Sequence, residues 1–366
     1  MRVPFVDLAG QHAEIADEVE PQVLDILRRG AFIGGPAVTA FEEAFAAYCG
    51  VRHCVGVANG TDALELALRA VGVRAGGEVI MPANTFIATA EAASRIGAVP
   101  IPVDVDDEFL LIDPARVEAA ITSRTQAIVP VHLYGQVAPV ELLADLAASH
   151  GVPVVEDAAQ AQGASRFGRR AGSLGTIAAT SFYPGKNLGA SGDGGAVLTD
   201  DETLAHRVRL IGGHGSAVRY VHEVVGVNSR LDALHAVTLL AKLKRLDAWN
   251  ASRRAAAELY AALLADVPGV RVPRSRAGNE DVWHLYVVRV PKRDAVLACL
   301  LDAGIGAALH YPTPWHLTDA YAHLGHGPGT APVAEQAADE ILSLPMHQSL
   351  TAEQQEAVAD ALRRCV

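Results

Sequence analysis

Val154-Val155-Glu156-Asp157-Ala158-Ala159-Gln160 begins as an apolar run and ends in two adjacent carboxylates. A carboxylate at a dry strand end is costly unless it is paired or hydrogen-bonded. The run is one of a series. His53–Ala58, Glu78–Met81, Val99–Val105, Ala127–Leu133, Val152–Glu156, Ala178–Phe182 and Ala196–Thr199 all read as strands. Many are continuous apolar stretches, not alternating ones, which fits strands buried on both faces of a mostly parallel sheet. Amphipathic stretches such as Ala63–Val71 and Val140–Ser149 lie between them. Strand, helix and strand repeated in this way predict an α/β domain.

After Ser229 the texture changes. Leu231–Trp249 reads as one long helix, with apolar residues at Leu231, Leu234, Val237, Leu240, Leu243 and Leu246. A second helix is expected over Ser252–Leu264, an alternating strand over Val282–Val290 and a further helix over Arg293–Ala303. Pro312, Pro314 and Pro328 interrupt the chain beyond Ala303. The expected division falls near Ala248. Residues 1–247 form a large domain, and residues 248–366 a smaller α+β domain on which the N-terminal segment is a candidate to pack. A chain of 366 residues is comfortable for two domains.

Thirty Lys and Arg against 42 Asp and Glu give a formal charge of −12. That balance argues against a nucleic-acid backbone or an anionic membrane as partner, since both need a basic face. Cys49, Cys54, Cys299 and Cys365 show no C-x-x-C pair and no zinc spacing, and the 14 histidines have no metal-ligand pattern, so no metal is expected. No apolar signal core opens the chain, and no uncharged run reaches the roughly 18 residues of a spanning helix. The expectation is a cytoplasmic protein, with no disulfide between Cys49 and Cys54.

Ligands of open α/β sheets bind beyond the carboxyl ends of the strands, and four segments converge there. Asn59-Gly60-Thr61-Asp62-Ala63-Leu64 puts a glycine and a hydroxyl at a helix start, which suits a phosphate. The plainer reading is a helix capped by Asp62, with Glu65 three residues on. Asp157 either caps a helix or meets a cationic partner such as a protonated pyridine nitrogen. Ser181-Phe182-Tyr183-Pro184-Gly185-Lys186-Asn187-Leu188 brings a lysine out of a buried strand. A lysine in partly buried surroundings has a depressed pKa and serves as nucleophile or base. A P-loop is excluded because Asn187 follows Lys186, and no G-x-G-x-x-G supports a dinucleotide site. Asn228-Ser229-Arg230-Leu231-Asp232 opens the long helix.

In order, spacing and wording these segments resemble the DegT/StrS family of sugar aminotransferases, fold-type I enzymes that use pyridoxal 5′-phosphate (PLP). The likeness runs from Val3-Pro4-Phe5-Val6-Asp7-Leu8, through Pro130-Val131-His132-Leu133-Tyr134-Gly135-Gln136, to His310-Tyr311-Pro312. The resemblance implies a Schiff base on Lys186, Asp157 against the pyridine nitrogen, Phe86 stacked on the ring and Gln160 at the phenolic oxygen. Gly60, Thr61 and Ser181 would hold the phosphate, with Asn228 supplied by the partner of a homodimer. It also implies a cycle in which L-glutamate leaves pyridoxamine phosphate and 2-oxoglutarate, and a nucleotide-linked keto deoxysugar, dTDP-linked first, is then aminated at C3 or C4. Such products are amino deoxysugars of antibiotics and glycans. Tyr183, Arg219, Tyr220, His222, His310 and Tyr311 are substrate-side candidates, with His316 beside them. Family dehydratases carry histidine where this chain has Lys186. Gln162 stands where the family often has histidine, and His235 is read as packing or solvated. A cyclitol-ketone aminotransferase and a non-catalytic sensor on the same fold are the alternatives.

Overall fold

The computed structural model describes residues 1–366. Its strands are β1 His53–Val57, β2 Glu78–Pro82, β3 Val99–Val103, β4 Thr125–Ile128, β5 Val155–Asp157, β6 Ser165–Arg166, β7 Arg169–Arg170, β8 Ile177–Ser181, β9 Gly195–Thr199, β10 Asn279–Glu280, β11 Tyr286–Arg289 and β12 Ile341–Leu344. Strand β2 pairs in parallel with β3 and β4, and β5 in parallel with β8. Parallel bridges Ile128–Val154 and Val131–Asp157 join β4 to β5. Strand β9 runs antiparallel between β8 and β1. The order is β3-β2-β4-β5-β8-β9-β1, a mixed sheet in which only β9 is reversed. Strands β5 and β8 are therefore central neighbours, with Asp157 opposite Ala179.

The helix Gly60–Ala70 packs on this sheet because its apolar residues cover a broad face. Ala63, Leu64, Leu66, Ala67, Leu68 and Ala70 are all buried in one cluster with Val57, Val129, Val155 and Ala179. Burying a leucine such as Leu66 or Leu68 contributes roughly 1.5–3 kcal/mol. A second cluster joins Tyr260, Tyr286, Leu300, Leu344 and Leu362 to Val3. Val3 is held there by backbone bonds to Gly304 at 3.0 Å and from Gly306 at 2.8 Å.

Several details differ from the sequence reading. The expected helix Leu231–Trp249 is two elements, Ala233–Leu243 and the start of Leu246–Leu264, and no break occurs before Ser252. Arg245 closes the first helix by donating to the Ala241 carbonyl at 2.8 Å and to Glu18 at 3.1 Å, and Lys244 also bonds Glu18. The apolar period runs through this break, so the pattern alone did not reveal it. The expected division near Ala248 lies in the first turn of the second helix. The cap of Gly60–Ala70 is Asn59, whose Oδ1 accepts from the Asp62 amide at 2.8 Å; Asp62 instead pairs with Arg95 at 3.1 Å. The strand expected over Val282–Val290 is reduced to β11, whose four residues are all buried against its partner β12. Cys49 and Cys54 are free and buried, while Cys299 and Cys365 form a disulfide. No helix is long and apolar enough to cross a membrane.

Candidate active site

Neighbouring side chains on a strand point to opposite faces, so β5 sends Glu156 and Asp157 to different tasks. Glu156 is fully buried. It accepts from His132 Nε2 at 2.8 Å and from the amides of Gly172, Leu174 and Gly175 at 2.8, 2.7 and 2.6 Å. The His132 ring is oriented from its other side, where Nδ1 accepts from the Ala138 amide at 3.1 Å. Burial pushes the Glu156 carboxyl up, but His132 and the amides of Gly175 and Gly172 outweigh it and hold the group below its ordinary value. Its stabilisation is thus present above the unfolded carboxyl's value of 4.5 and lost as pH falls through the lower folded value. Glu156→Ala strands these donors in a dry pocket and is expected to cost about 3–5 kcal/mol. Urea unfolding measures this, and a loss under 1 kcal/mol would contradict it.

Asp157 is also buried. Its Oδ2 accepts from Thr89 Oγ1 at 2.8 Å and its Oδ1 from the Ala159 amide at 3.1 Å. Here burial dominates and leaves the carboxyl above its ordinary value despite Thr89, Ala159 and the Lys186 charge. Two neutral donors are a modest shell for a buried charge, and a cation against it would complete the pairing.

Lys186 follows β8 through the Tyr183-Pro184-Gly185 turn, which its own amide closes onto the Tyr183 carbonyl at 2.8 Å. Its ammonium has no carboxylate within 4 Å. Burial pushes its pKa down to about 8 against the opposing pull of Asp157. A useful fraction of free amine is then present near neutral pH. Lys242 is a buried lysine of similar pKa, also about 8, but it is committed to Gln11 at 2.8 Å and the Gly189 carbonyl at 2.7 Å.

Gly60 and Thr61 stand in the first turn of Gly60–Ala70, where backbone amides have no intrahelical partner. A Cβ on Gly60 would come within 2.5 Å of the Ser181 Cβ, so only glycine lets the helix start approach β8 this closely. The resulting cradle of amides and hydroxyls fits a phosphate.

These groups share one cleft of about 800 Å³ with Phe86, Gln160, Tyr183, His310 and Tyr311. Phe86 is half exposed, not a core residue, and its ring lies 5.1 Å from that of Tyr311. Gln160 accepts from the Tyr134 amide at 2.6 Å and donates to the Tyr311 hydroxyl at 3.0 Å. His310 bonds Ser343 at 2.8 Å, and burial and Lys186 push its pKa down to about 4. Gln162 spans Thr180 at 2.8 Å and the Ser181 carbonyl at 2.9 Å, keeping the hydrogen-bonding role expected of it.

Other sequence candidates lie elsewhere in the single chain. Asn228 is exposed and does not line the cleft. Arg219, Tyr220 and His222 sit on an exposed segment, with the Arg219 guanidinium 4.8 Å from the Tyr220 ring centre and His222 bonded to the His214 carbonyl at 2.9 Å. His316 is buried and bonded to Glu335 at 3.2 Å, away from the cleft. The sequence reading missed His284 and Thr89, both of which line it. Thr89 stands three residues after Phe86 near a helix start, a spacing that could have flagged it; nothing local flagged His284.

An amine kept partly neutral by burial, a carboxylate short of a counter-cation and a phosphate cradle suit the aldehyde, pyridine nitrogen and phosphate of PLP. With the mixed sheet beneath them they define a fold-type I PLP-dependent transferase. The chain belongs to the DegT/DnrJ/EryC1/StrS aminotransferase family, whose model matches residues 13–363. It is 50% identical to the erythromycin biosynthesis sensory transduction protein EryC1 of Saccharopolyspora erythraea, over 99% of each chain. It is 46% identical to the dTDP-3-amino-3,4,6-trideoxy-alpha-D-glucose transaminase of Streptomyces venezuelae, over 99% of this chain and 96% of that one. The crystal structure of S. venezuelae DesV with a ketimine intermediate superposes with a TM-score of 0.97 at 46% identity, covering 99% of this chain and 98% of that one. The protein is an aminotransferase, and its cofactor is PLP.

Proposed function

We propose that this aminotransferase moves an amino group from L-glutamate to a nucleotide-linked keto deoxysugar, dTDP-linked first and at C3 ahead of C4, in amino-sugar biosynthesis. The observation that carries the reading is Lys186, half-buried and without an ion-pair partner, in one cleft with Asp157. The choice of sugar rests on the relatives, of which three are named as transaminases of dTDP-3-amino sugars.

Bound PLP supplies an electron sink for the pair left on the amino acid's Cα. Lys186 would anchor it, and the same amine, held beside the substrate Cα, would serve as the base that takes its proton; positioning makes one group effective in both roles. Asp157 would face the ring nitrogen and favour its protonated form. Phe86 and Gln160 would hold the ring and phenolic oxygen, and Gly60, Thr61 and Ser181 the phosphate.

The working unit in this reading is a homodimer in the cytoplasm, with Asn228 of one chain completing the phosphate site of the other. Exposed Val218, Tyr220, Val221 and Val225, just before Asn228, support such a contact. One relative carries a sensory name, but a binding module has no need of a lysine kept partly neutral in one cleft with a carboxylate.

The test is a titration of the PLP-loaded protein with dTDP-3-amino and dTDP-4-amino deoxysugars separately. Loss of the lysine-bound cofactor band with the 3-amino isomer is expected. Response to glutamate but to neither isomer would contradict the sugar assignment and favour a cyclitol ketone.

A further inference from the structure

His284 lines the cleft with one edge open to it. Its Nδ1 faces Asn187 Oδ1 at 3.2 Å. Which nitrogen carries the proton is decided by the groups behind it. Asn187 Nδ2 donates to the Val282 carbonyl at 3.0 Å and to Asn250 Oδ1 at 2.9 Å, and Asn250 Nδ2 donates to the Gln162 carbonyl at 2.9 Å. Carbonyl oxygens only accept, so both amides are fixed in orientation. Asn187 therefore presents an oxygen, and His284 Nδ1 must be the N–H donor. In a neutral ring, Nε2 is then left with a lone pair. Burial, with the charges of Lys186, Arg253 and His310, holds the ring well below the ordinary histidine value.

The backbone around this ring is equally fixed. The Val282 amide bonds the Gly135 carbonyl at 3.0 Å, and the Leu285 amide bonds the Tyr134 carbonyl at 3.2 Å. A Cβ on Gly135 would come within 2.6 Å of the backbone nitrogen of His284, so glycine is needed for this contact. Lys186 and Asn187 are sequence neighbours, so one turn sets the reactive lysine and the tautomer of His284 together.

We infer that His284 is a specificity-determining acceptor: its Nε2 takes a hydrogen bond from a hydroxyl of the sugar beside the reacting carbon. This rests on the sugar reading above. A sugar brings hydroxyls into a closed cleft, where each is costly unless bonded. Glutamate brings carboxylates, which a lone pair repels. The residue should therefore matter for one half of the cycle only.

The experiment compares single-turnover rates of the PLP-loaded enzyme with glutamate and with dTDP-3-amino-3,6-dideoxyhexose. The sugar series includes its 2-deoxy and 4-deoxy counterparts. His284→Asn keeps a donor for Asn187 but removes the acceptor in the cleft. It is expected to slow the sugar half-reaction about ten- to hundredfold and to leave the glutamate half within about twofold. His284→Gln, which returns an acceptor near the Nε2 position, is expected to recover most of the loss. One deoxy sugar should react with wild type as slowly as the parent sugar reacts with His284→Asn, and the variant should not distinguish the two. Equal losses in both half-reactions, or no loss in either, would overturn the assignment while leaving the sugar reading intact. Wild type that reacts with glutamate and with no nucleotide sugar would overturn the sugar reading, and this assignment with it.

Discussion

Lys186→Ala is expected to abolish multiple turnover, a loss of about 10⁴-fold or more, because one side chain supplies both covalent anchor and proton carrier. The fold should persist. Lys186 makes no ion pair, and burial has already pushed its pKa down to about 8 from 10.5. A lowered lysine pKa means that the charged form is disfavoured in the folded state, so removing it below pH 8 should leave the melting temperature unchanged or raised. The contrast with Glu156 is direct. That residue holds the sheet to the Gly172–Gly175 loop, and its loss should show as lowered stability. Retained multiple turnover in Lys186→Ala would end the proposed mechanism.

Asp157→Asn is expected to lower kcat by about 10²–10³-fold, the range seen when one preorganised electrostatic group is removed. Asparagine keeps the shape and can still bond Thr89 and the Ala159 amide, so the variant isolates the charge. A second readout accompanies the rate. The Asp157 charge raises the pKa of Lys186. Its removal should lower that pKa further and move the Lys186-dependent limb of the pH–rate profile to lower pH. An unchanged kcat with an unchanged profile would show that Asp157 does not face the cofactor.

Asp157 and Lys186 were legible as candidates from their places at strand ends, while the roles expected of them came from the family resemblance. A carboxylate after an apolar run and a lysine after a Pro-Gly turn are unusual placements, and both fall on the carboxyl side of central strands. The break at Lys244–Arg245 was hidden because the apolar period continues across it while the side chains that cause it bond Glu18, more than 220 residues earlier. The cap was misplaced because Asn59 and Asp62 are both good capping types, and only the Asn59 oxygen reaches an amide. His284 was invisible because its tautomer is set by Asn187, 97 residues away, and by Asn250 behind it. Arg219, Tyr220 and His222 had the right residue types but lie on an exposed segment of the chain.

The most direct test is chemical. The PLP-loaded protein is reduced with borohydride, digested and mapped by mass. The cofactor is expected as a stable adduct on the peptide containing Lys186. An adduct on Lys242, the other lysine of lowered pKa, or no adduct at all, would contradict the account.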